Sequence, residues 1–329
     1  MNKVILRADG SYNIGKGHLS RIKTLHEEFN RNGFLSKIVT IDNNISRIFL
    51  QNTENVVYID EINADNVALW GEAELIIVDL YKFDEPFYQN LKNQSQNSKI
   101  FVFDDEIKHI PKFVDGVINT NIYADDNAYP TNLSKICGAK YYILRDEIKQ
   151  DYIQNQTFSE NIFICMGGTD PEKQTFRFAQ LARKNSNRSI DIVFGEDDKT
   201  EIELCRKIEN VNVHINPEYF VELLSKASFA ISGAGTLAYE LAYKKIPTLL
   251  VQLAENQRKI AEAFDKLKIS ENLGFYKNLT DDKISAIIKK YDSTQSTNNL
   301  KINLIDGQGV KRIVQDLSLI HISEPTRPY

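Results

Sequence analysis

Short apolar runs alternate with helical patterns along almost the whole chain, and this alternation constrains the fold more than any other feature. In the first half the runs are KVILRA (Lys3–Ala8), SKIVTI (Ser36–Ile41), VVYI (Val56–Ile59), LIIVD (Leu75–Asp79), IFVFD (Ile100–Asp104) and GVINTN (Gly116–Asn121). The second half restarts the same grammar with NIFICMGG (Asn161–Gly168), IDIVFG (Ile190–Gly195), VNVHIN (Val211–Asn216), FAISG (Phe229–Gly233), PTLLVQL (Pro247–Leu253) and GFYKN (Gly274–Asn278). Several are apolar on successive residues rather than alternate ones, as parallel strands covered on both faces are. Helical segments lie between them. In His18–Asn30, Leu19, Ile22, Leu25, His26 and Phe29 share a face, and Gly33 follows as a stop. Others are Phe176–Lys184, Tyr219–Ala227, Leu237–Lys244, Asn256–Leu267 and Asp281–Lys290. Such repeated alternation predicts parallel α/β sheets joined by right-handed crossovers.

The chain has 329 residues, which at roughly 100–200 per domain predicts two domains. The polar stretch Gln150–Glu160 (QDYIQNQTFSE) marks the boundary, giving an N-terminal Rossmann-like domain over 1–150 and a C-terminal one over 158–316. The segment LSLIHISEPTRPY (Leu317–Tyr329) shares no helical period with the preceding GVKRIVQD. It looks like the translation of a sequencing-library adapter read through the end of an incomplete gene. We therefore exclude 317–329 from the fold and give His321 no function.

Composition removes several classes of function. A formal net charge of −5 with no Lys/Arg block argues against nucleic acid or an anionic membrane as partner. Apolar residues at 42% and charged ones at 26% are globular values, which excludes wholesale disorder. No apolar run approaches the ~20 residues a membrane helix needs, and the N-terminus enters a strand pattern without a signal-peptide core. Cys137, Cys165 and Cys205 are scattered and lack metal-ligand spacing. The expectation is a soluble cytoplasmic monomer.

In open α/β sheets ligands bind beyond the carboxyl ends of the strands, so the turns that follow each strand carry the chemistry. The first reads RADGSYNIGKGHLSR (Arg7–Arg21), where Gly10, Gly15 and Gly17 form a flexible strand-to-helix loop and His18 opens the helix. The spacing matches neither the dinucleotide nor the P-loop fingerprint, which lowers NAD and NTPase readings. A single histidine is most often a cap or a solvent-facing residue. Here the positive end of a helix disfavours imidazolium, so a neutral ring able to accept a proton is expected. The second domain opens with CMGGTDP (Cys165–Pro171), in which Gly167 and Gly168 permit close backbone approach and the next helix start offers N–H groups to a phosphate. Its fourth strand ends in a second small-residue loop, Ser232, Gly233, Ala234, Gly235 and Thr236. Glu240 lies one turn inside the helix that follows, suited to ribose hydroxyls, although a single helical carboxylate is usually exposed. Glu255, Asn256 and Gln257 follow the next strand.

At these positions the chain resembles a known family. RADGSYNIGKGHLSR, IIVDLYKFD (Ile76–Asp84), FVFDDE (Phe101–Glu106), INTNIYA (Ile118–Ala124), CGAKYYILRDE (Cys137–Glu147), FICMGGTDP, the SGAGT…YE segment and LAENQ stand in the order found in the UDP-2,4-diacetamido-2,4,6-trideoxy-β-L-altropyranose hydrolases of pseudaminic acid biosynthesis. The second half is also similar to the UDP-N-acetylglucosamine transferase of peptidoglycan synthesis. The resemblance implies a GT-B fold, with two parallel-sheet domains facing across a cleft and UDP held mainly by the second. It implies His18 as catalytic base and Tyr81 lining the sugar site. Gly15, Gly17 and Arg21, with Gly167, Gly168 and Thr169, would join the substrate site. Ser232, Gly233, Ala234, Gly235 and Thr236 would hold UDP, Glu240 the ribose, and Glu255, Asn256 and Gln257 the diphosphate–sugar end. Ala234 and Tyr239 stand where many relatives carry glycine and tryptophan.

The resulting expectation is inverting hydrolysis of a UDP-sugar, without cofactor and without metal, since no D-x-D triplet occurs. A GT-B glycosyltransferase would use the same UDP site but need an acceptor, and no membrane-docking run stands in Met1–Lys149. A sugar-nucleotide sensor would have no use for both His18 and Tyr81.

Overall fold

The structure is a computed structural model. It describes residues 2–11, 16–60, 68–80, 85–107, 110–150, 160–168, 170, 172–195, 198–293 and 304–322. The chain divides into two compact units, Met1–Arg145 with the chain from Gly307 onward, and Asp146–Asp306.

The first unit runs β1 (Lys3–Ala8), α1 (Gly17–Arg31), β2 (Leu35–Ile41), α2 (Asn44–Phe49), β3 (Val56–Ile59), β4 (Leu75–Asp79), α3 (Glu85–Gln94), β5 (Lys99–Phe103), β6 (Gly116–Asn119) and β7 (Ser134–Cys137). Among the described residues these strands form one sheet in the order β3-β2-β1-β4-β5-β6-β7, with every pairing parallel. Strands apolar on both faces require two covers, and the sheet has them. Val4, Leu6 and Ala8 pack with Leu19, Ile22, Leu25 and Phe29 of α1. Ile5 turns to the other side, toward Trp70, Tyr88 and Leu91. Helix α1 stops where Gly33 takes a φ of +81°, and Phe34 N–H reaches back to the Phe29 carbonyl at 3.1 Å, a glycine-dependent helix end.

The second unit runs α4 (Asp146–Lys149), β8 (Asn161–Cys165), α5 (Gln174–Asn185), β9 (Ile190–Phe194), α6 (Lys199–Arg206), β10 (Val211–Ile215), α7 (Phe220–Ser225), β11 (Ala227–Gly233), α8 (Thr236–Tyr243), β12 (Thr248–Gln252), α9 (Arg258–Lys266), β13 (Glu271–Phe275) and α10 (Asp281–Ser293). Its sheet has the order β10-β9-β8-β11-β12-β13. Both units therefore repeat one plan. The chain winds outward from a first strand, then crosses back to that strand's other side, at β4 in one unit and β11 in the other. The crossing point, β1 beside β4 and β8 beside β11, is where such sheets open to a ligand.

Three expectations need correction. Strand β7 was not anticipated, because SKIC is four residues long and half polar, as an edge strand can be. The boundary 158–316 gives the second domain too much chain. The final helix, α11 (Gly309–Ile322), packs on the first unit through Val310, Ile313, Val314 and Leu317. These residues follow the i, i+3, i+4, i+7 stripe that seats a helix on a core. Close seating is visible at its start, where a Cβ on Gly309 would come within 2.2 Å of the Tyr142 carbonyl oxygen. The break in period at Leu317 is also absent. Leu317 lies four residues after Ile313, is fully buried, and the helix continues to Ile322. No helix among the described residues is long and apolar enough to cross a membrane.

Candidate active site

In the first unit the crossing point gathers three charged side chains around His18. Parallel register puts Asp79, the last residue of β4, beside Ala8, the last of β1. The loop after β1 then delivers α1, in which His18 and Arg21 stand at i and i+3 and so share a face. His18 Nδ1 lies 2.6 Å from Asp79 Oδ1. Arg21 grips the same carboxylate, Nε donating to Oδ2 at 2.8 Å and Nη2 to Oδ1 at 2.7 Å. Its other side grips Asp105, just past β5, through Nη1 at 2.8 Å and Nη2 at 2.9 Å. The guanidinium also lies 4.4 Å from the centre of the Phe103 ring, a cation–π contact.

Asp79 is 1% exposed, and a carboxylate so buried persists only when paired. Burial pushes its pKa up, but the Arg21 charge and the His18 hydrogen bond prevail and hold it below the usual carboxylate value. An ionised Asp79 accepts only, so the proton of neutral His18 sits on Nδ1 and the imidazole lone pair on Nε2. That is the tautomer a general base needs. The expected cause of its neutrality is superseded. Burial does lower the proton affinity of His18, yet the Asp79 hydrogen bond and charge outweigh it and raise the pKa above the ordinary 6.5. His18 is thus a stronger base than a free histidine, held by a carboxylate rather than kept neutral by a helix end.

Asp79 and Asp105 were not singled out from the sequence as site residues, though both stand in quoted motifs. Arg21, expected among the substrate-binding residues, commits four of its five N–H groups to these two carboxylates. The neighbouring Asp104 takes a separate role. It is buried and accepts from the Tyr129 hydroxyl at 3.0 Å and the Glu106 backbone at 3.0 Å. Asp105 is pinned from the turn after β6, where the Asn121 side chain donates to Oδ1 at 3.1 Å and the Tyr123 hydroxyl donates to its backbone carbonyl. Two residues of the motif INTNIYA thereby hold Asp105 in place. Gly17 opens α1 and is exposed. Gly15, Tyr81 and Thr169 lie outside the described residues.

In the second unit the crossing point brings both glycine-bearing turns together. A Cβ on Gly233 would stand 2.3 Å from the Met166 carbonyl oxygen, and one on Gly195 would stand 2.3 Å from that of Gly168. The small residues therefore let the strand ends approach one another, a use of glycine the sequence left unassigned. Gly167 has a φ of +136°, and Gly168 is exposed. Ala234 N–H donates to the Val251 carbonyl and Gly235 N–H to that of Gly233, so those amides serve the turn itself. Helix α8 begins just after, with Gly235 at its N-cap and so no cap from that residue's side chain. Thr236 is exposed at this start, whereas Ser232 is buried with its hydroxyl on the Gly233 carbonyl. Glu240 is 3% exposed, which excludes the ordinary solvent-facing helical carboxylate. The Gln257 amide nitrogen would lie 3.9 Å from a Cβ on Gly235, and its oxygen accepts from Leu253 N–H at 2.9 Å. The β12 turn is thereby laid beside the start of α8, with Asn256 exposed and Glu255 paired to Arg258.

One expected anion site is already filled. At the start of α5, Gln174 and Thr175 N–H donate to Asp170 at 3.2 and 2.7 Å, and Phe176 N–H donates to Glu201 at 3.2 Å. Two carboxylates occupy the amides the sequence assigned to phosphate. This makes Asp170 a helix cap, and Asp170→Ala should lower stability by about 0.5–2 kcal/mol, read as a reduced midpoint of thermal or urea unfolding. An unchanged midpoint would show that the cap contributes nothing.

Comparison with known proteins now has a site to refer to. No family model matches the chain. It is 26% identical over 267 residues, 79% of this chain and 94% of the other, to the UDP-2,4-diacetamido-2,4,6-trideoxy-β-L-altropyranose hydrolase of Campylobacter jejuni. It is 25% identical over 154 residues to a Helicobacter pylori protein described as pseudaminic acid cytidylyltransferase and the same hydrolase, covering 41% of this chain and 29% of that one. The crystal structure of MurG from Acinetobacter baumannii superposes with a TM-score of 0.69 over 96% of this chain and 99% of that one, at 12% identity. The chain has the GT-B fold.

Proposed function

We propose that this GT-B chain hydrolyses a UDP-linked 2,4-diacetamido-2,4,6-trideoxyhexose to UDP and the free sugar, as a step of pseudaminic acid biosynthesis. The observation that carries the reading is the His18–Asp79 hydrogen bond of 2.6 Å, which fixes a base in the tautomer that water activation needs. The likeness to the Campylobacter hydrolase, which spans 94% of that protein, supplies the substrate class. Nε2 of His18 takes a proton from water as the water oxygen bonds to the anomeric carbon. The bond from that carbon to the diphosphate oxygen breaks, and its electron pair leaves with UDP. Attack opposite the leaving group inverts the anomeric centre. A diphosphate is a competent leaving group, so a base and a positive dipole for the departing charge suffice. We assign the dipole to the start of α8, whose N-cap is Gly235, the ribose to Glu240, and the diphosphate–sugar end to Asn256 and Gln257. The start of α5 is left out of this assignment because Asp170 and Glu201 fill it.

The test is to incubate the purified protein with a panel of UDP-sugars and no acceptor, following free UDP and free sugar. Equimolar release of both is expected. Release of UDP only when an acceptor is added would make the chain a glycosyltransferase instead. UDP at about a hundredfold excess over Kd should stabilise the fold by roughly 2.7 kcal/mol, and equal protection by ADP would remove the uridine assignment.

A further inference from the structure

We propose that Arg21 and Asp105 are positioning residues that set how much of the Asp79 charge is available to His18. Arg21 bonds both oxygens of Asp79, including Oδ1, the atom that also holds the imidazole. It therefore competes with His18 for one carboxylate. Asp105 accepts from the opposite side of the same guanidinium, with both of its oxygens, and so draws positive charge away from Asp79. The two residues act on His18 with opposite signs, and neither is placed to donate or accept the reacting proton.

The geometry separates this arrangement from an ordinary surface ion pair, which contributes little. Arg21 is 17% exposed and Asp79 1%. Asp105, at 39%, is the most open of the three, but Asn121 and Tyr123 fix it through its side chain and its backbone. The charged groups facing the imidazole include Asp79 from β4, Arg21 from its own helix and Asp105 from the turn after β5. Asp79 is faced in addition by Tyr88 of α3, whose hydroxyl is held protonated far above the ordinary range by burial first and by the Asp79 charge second, with Arg7 of β1 acting in the opposite sense. The influence of each group on His18 has the sign the geometry demands, since Arg21 lowers its proton affinity and Asp105 raises it.

The inference rests on His18 being the base of the proposed hydrolysis, and its test is read without turnover. The imidazole of His18 is titrated by NMR in the full chain labelled at histidine, its signal identified among the five histidines by its loss in His18→Gln. Asp105→Asn is expected to move the titration midpoint to lower pH, and Arg21→Gln to higher pH. Asp105→Glu should restore the original midpoint. In the pH–rate profile of hydrolysis, Asp105→Asn should carry the acid limb to lower pH and lower the plateau, because a weaker base drives proton transfer less, with KM unchanged. A midpoint in Asp105→Asn that stays put or rises overturns the proposal. So does a downward shift in a folded Arg21→Gln. If Arg21→Gln does not fold, the half-exposed Asp105 position decides alone. Opposite shifts in a protein that releases no UDP would uphold the charge arrangement while defeating the hydrolase reading.

Discussion

Replacing His18 with alanine is expected to lower kcat by about 10²–10⁴-fold, the contribution of a positioned general base. The affinity for UDP should barely move, because the turns assigned to the nucleotide belong to the second unit. Hydrolysis by the intact protein in ¹⁸O-labelled water should place the label in the sugar and leave UDP unlabelled, since the lone pair on Nε2 activates water toward carbon. The first anomer formed should be the inverted one. The pH dependence follows from Asp79. The base must be unprotonated to act, and its pKa is raised above 6.5, so the acid limb of the rate profile should lie above the ordinary histidine value. Full activity in His18→Ala, or label in the UDP phosphate, would remove His18 from the mechanism.

Asp79→Asn should be comparably damaging, by up to about 10⁴-fold where the histidine tautomer is lost. Each Asp79 oxygen accepts from a donor, Oδ2 from Arg21 Nε and Oδ1 from both His18 and Arg21 Nη2. An amide nitrogen at either place meets a donor head-on. It must turn away or force His18 to present a lone pair at Nδ1, which moves the proton to Nε2. Stability should fall as well, by less than the roughly 3–5 kcal/mol of a fully broken buried pair, because Asp105 still holds Arg21. The two losses separate by pH. A raised folded pKa on His18 contributes stability that is complete below the unfolded value and disappears as pH rises through the folded one. In Asp79→Asn that contribution should be gone, flattening the stability profile across neutral pH, and the acid limb of any residual activity should move to lower pH. Turnover equal to the parent, with an unchanged limb, would show that Asp79 neither orients nor charges the base.

The landmarks of the sequence served unequally. His18 was legible because a glycine-bearing loop between a strand and a helix has few structural uses and leaves its first helical residues facing the sheet's ligand end. The small-residue turn before α8 was legible as a turn for the same reason, whereas the burial of Glu240 was not. Asp79 and Asp105 carried no comparable signal. A single aspartate ending an apolar strand is common, and nothing local distinguishes one that receives a histidine from one that caps a turn. The turn at Gly167 misled in part, because the helix after it brings its own caps in Asp170 and Glu201. Helix α11 misled through distance, since its apolar stripe reads equally well against either domain.

What the sequence determined by itself is whatever local periodicity and backbone freedom dictate. Successive apolar residues specify strands that must be covered on both faces, a 3.6-residue stripe specifies which side of α1 is buried, and glycines mark where the chain must turn sharply or approach another backbone. Two parallel sheets and the loops at their ligand ends follow from those rules. What only the tertiary structure decided is the electrostatics of the site. The pairing of Ala8 with Asp79 and the placing of β5 beside β4 set a histidine, an arginine and two aspartates from three separate segments within hydrogen-bonding distance. Charge interactions depend on separation and burial in space, which sequence spacing does not encode, so His18 could be picked out from the chain as a candidate base while the carboxylates gathered around it could not.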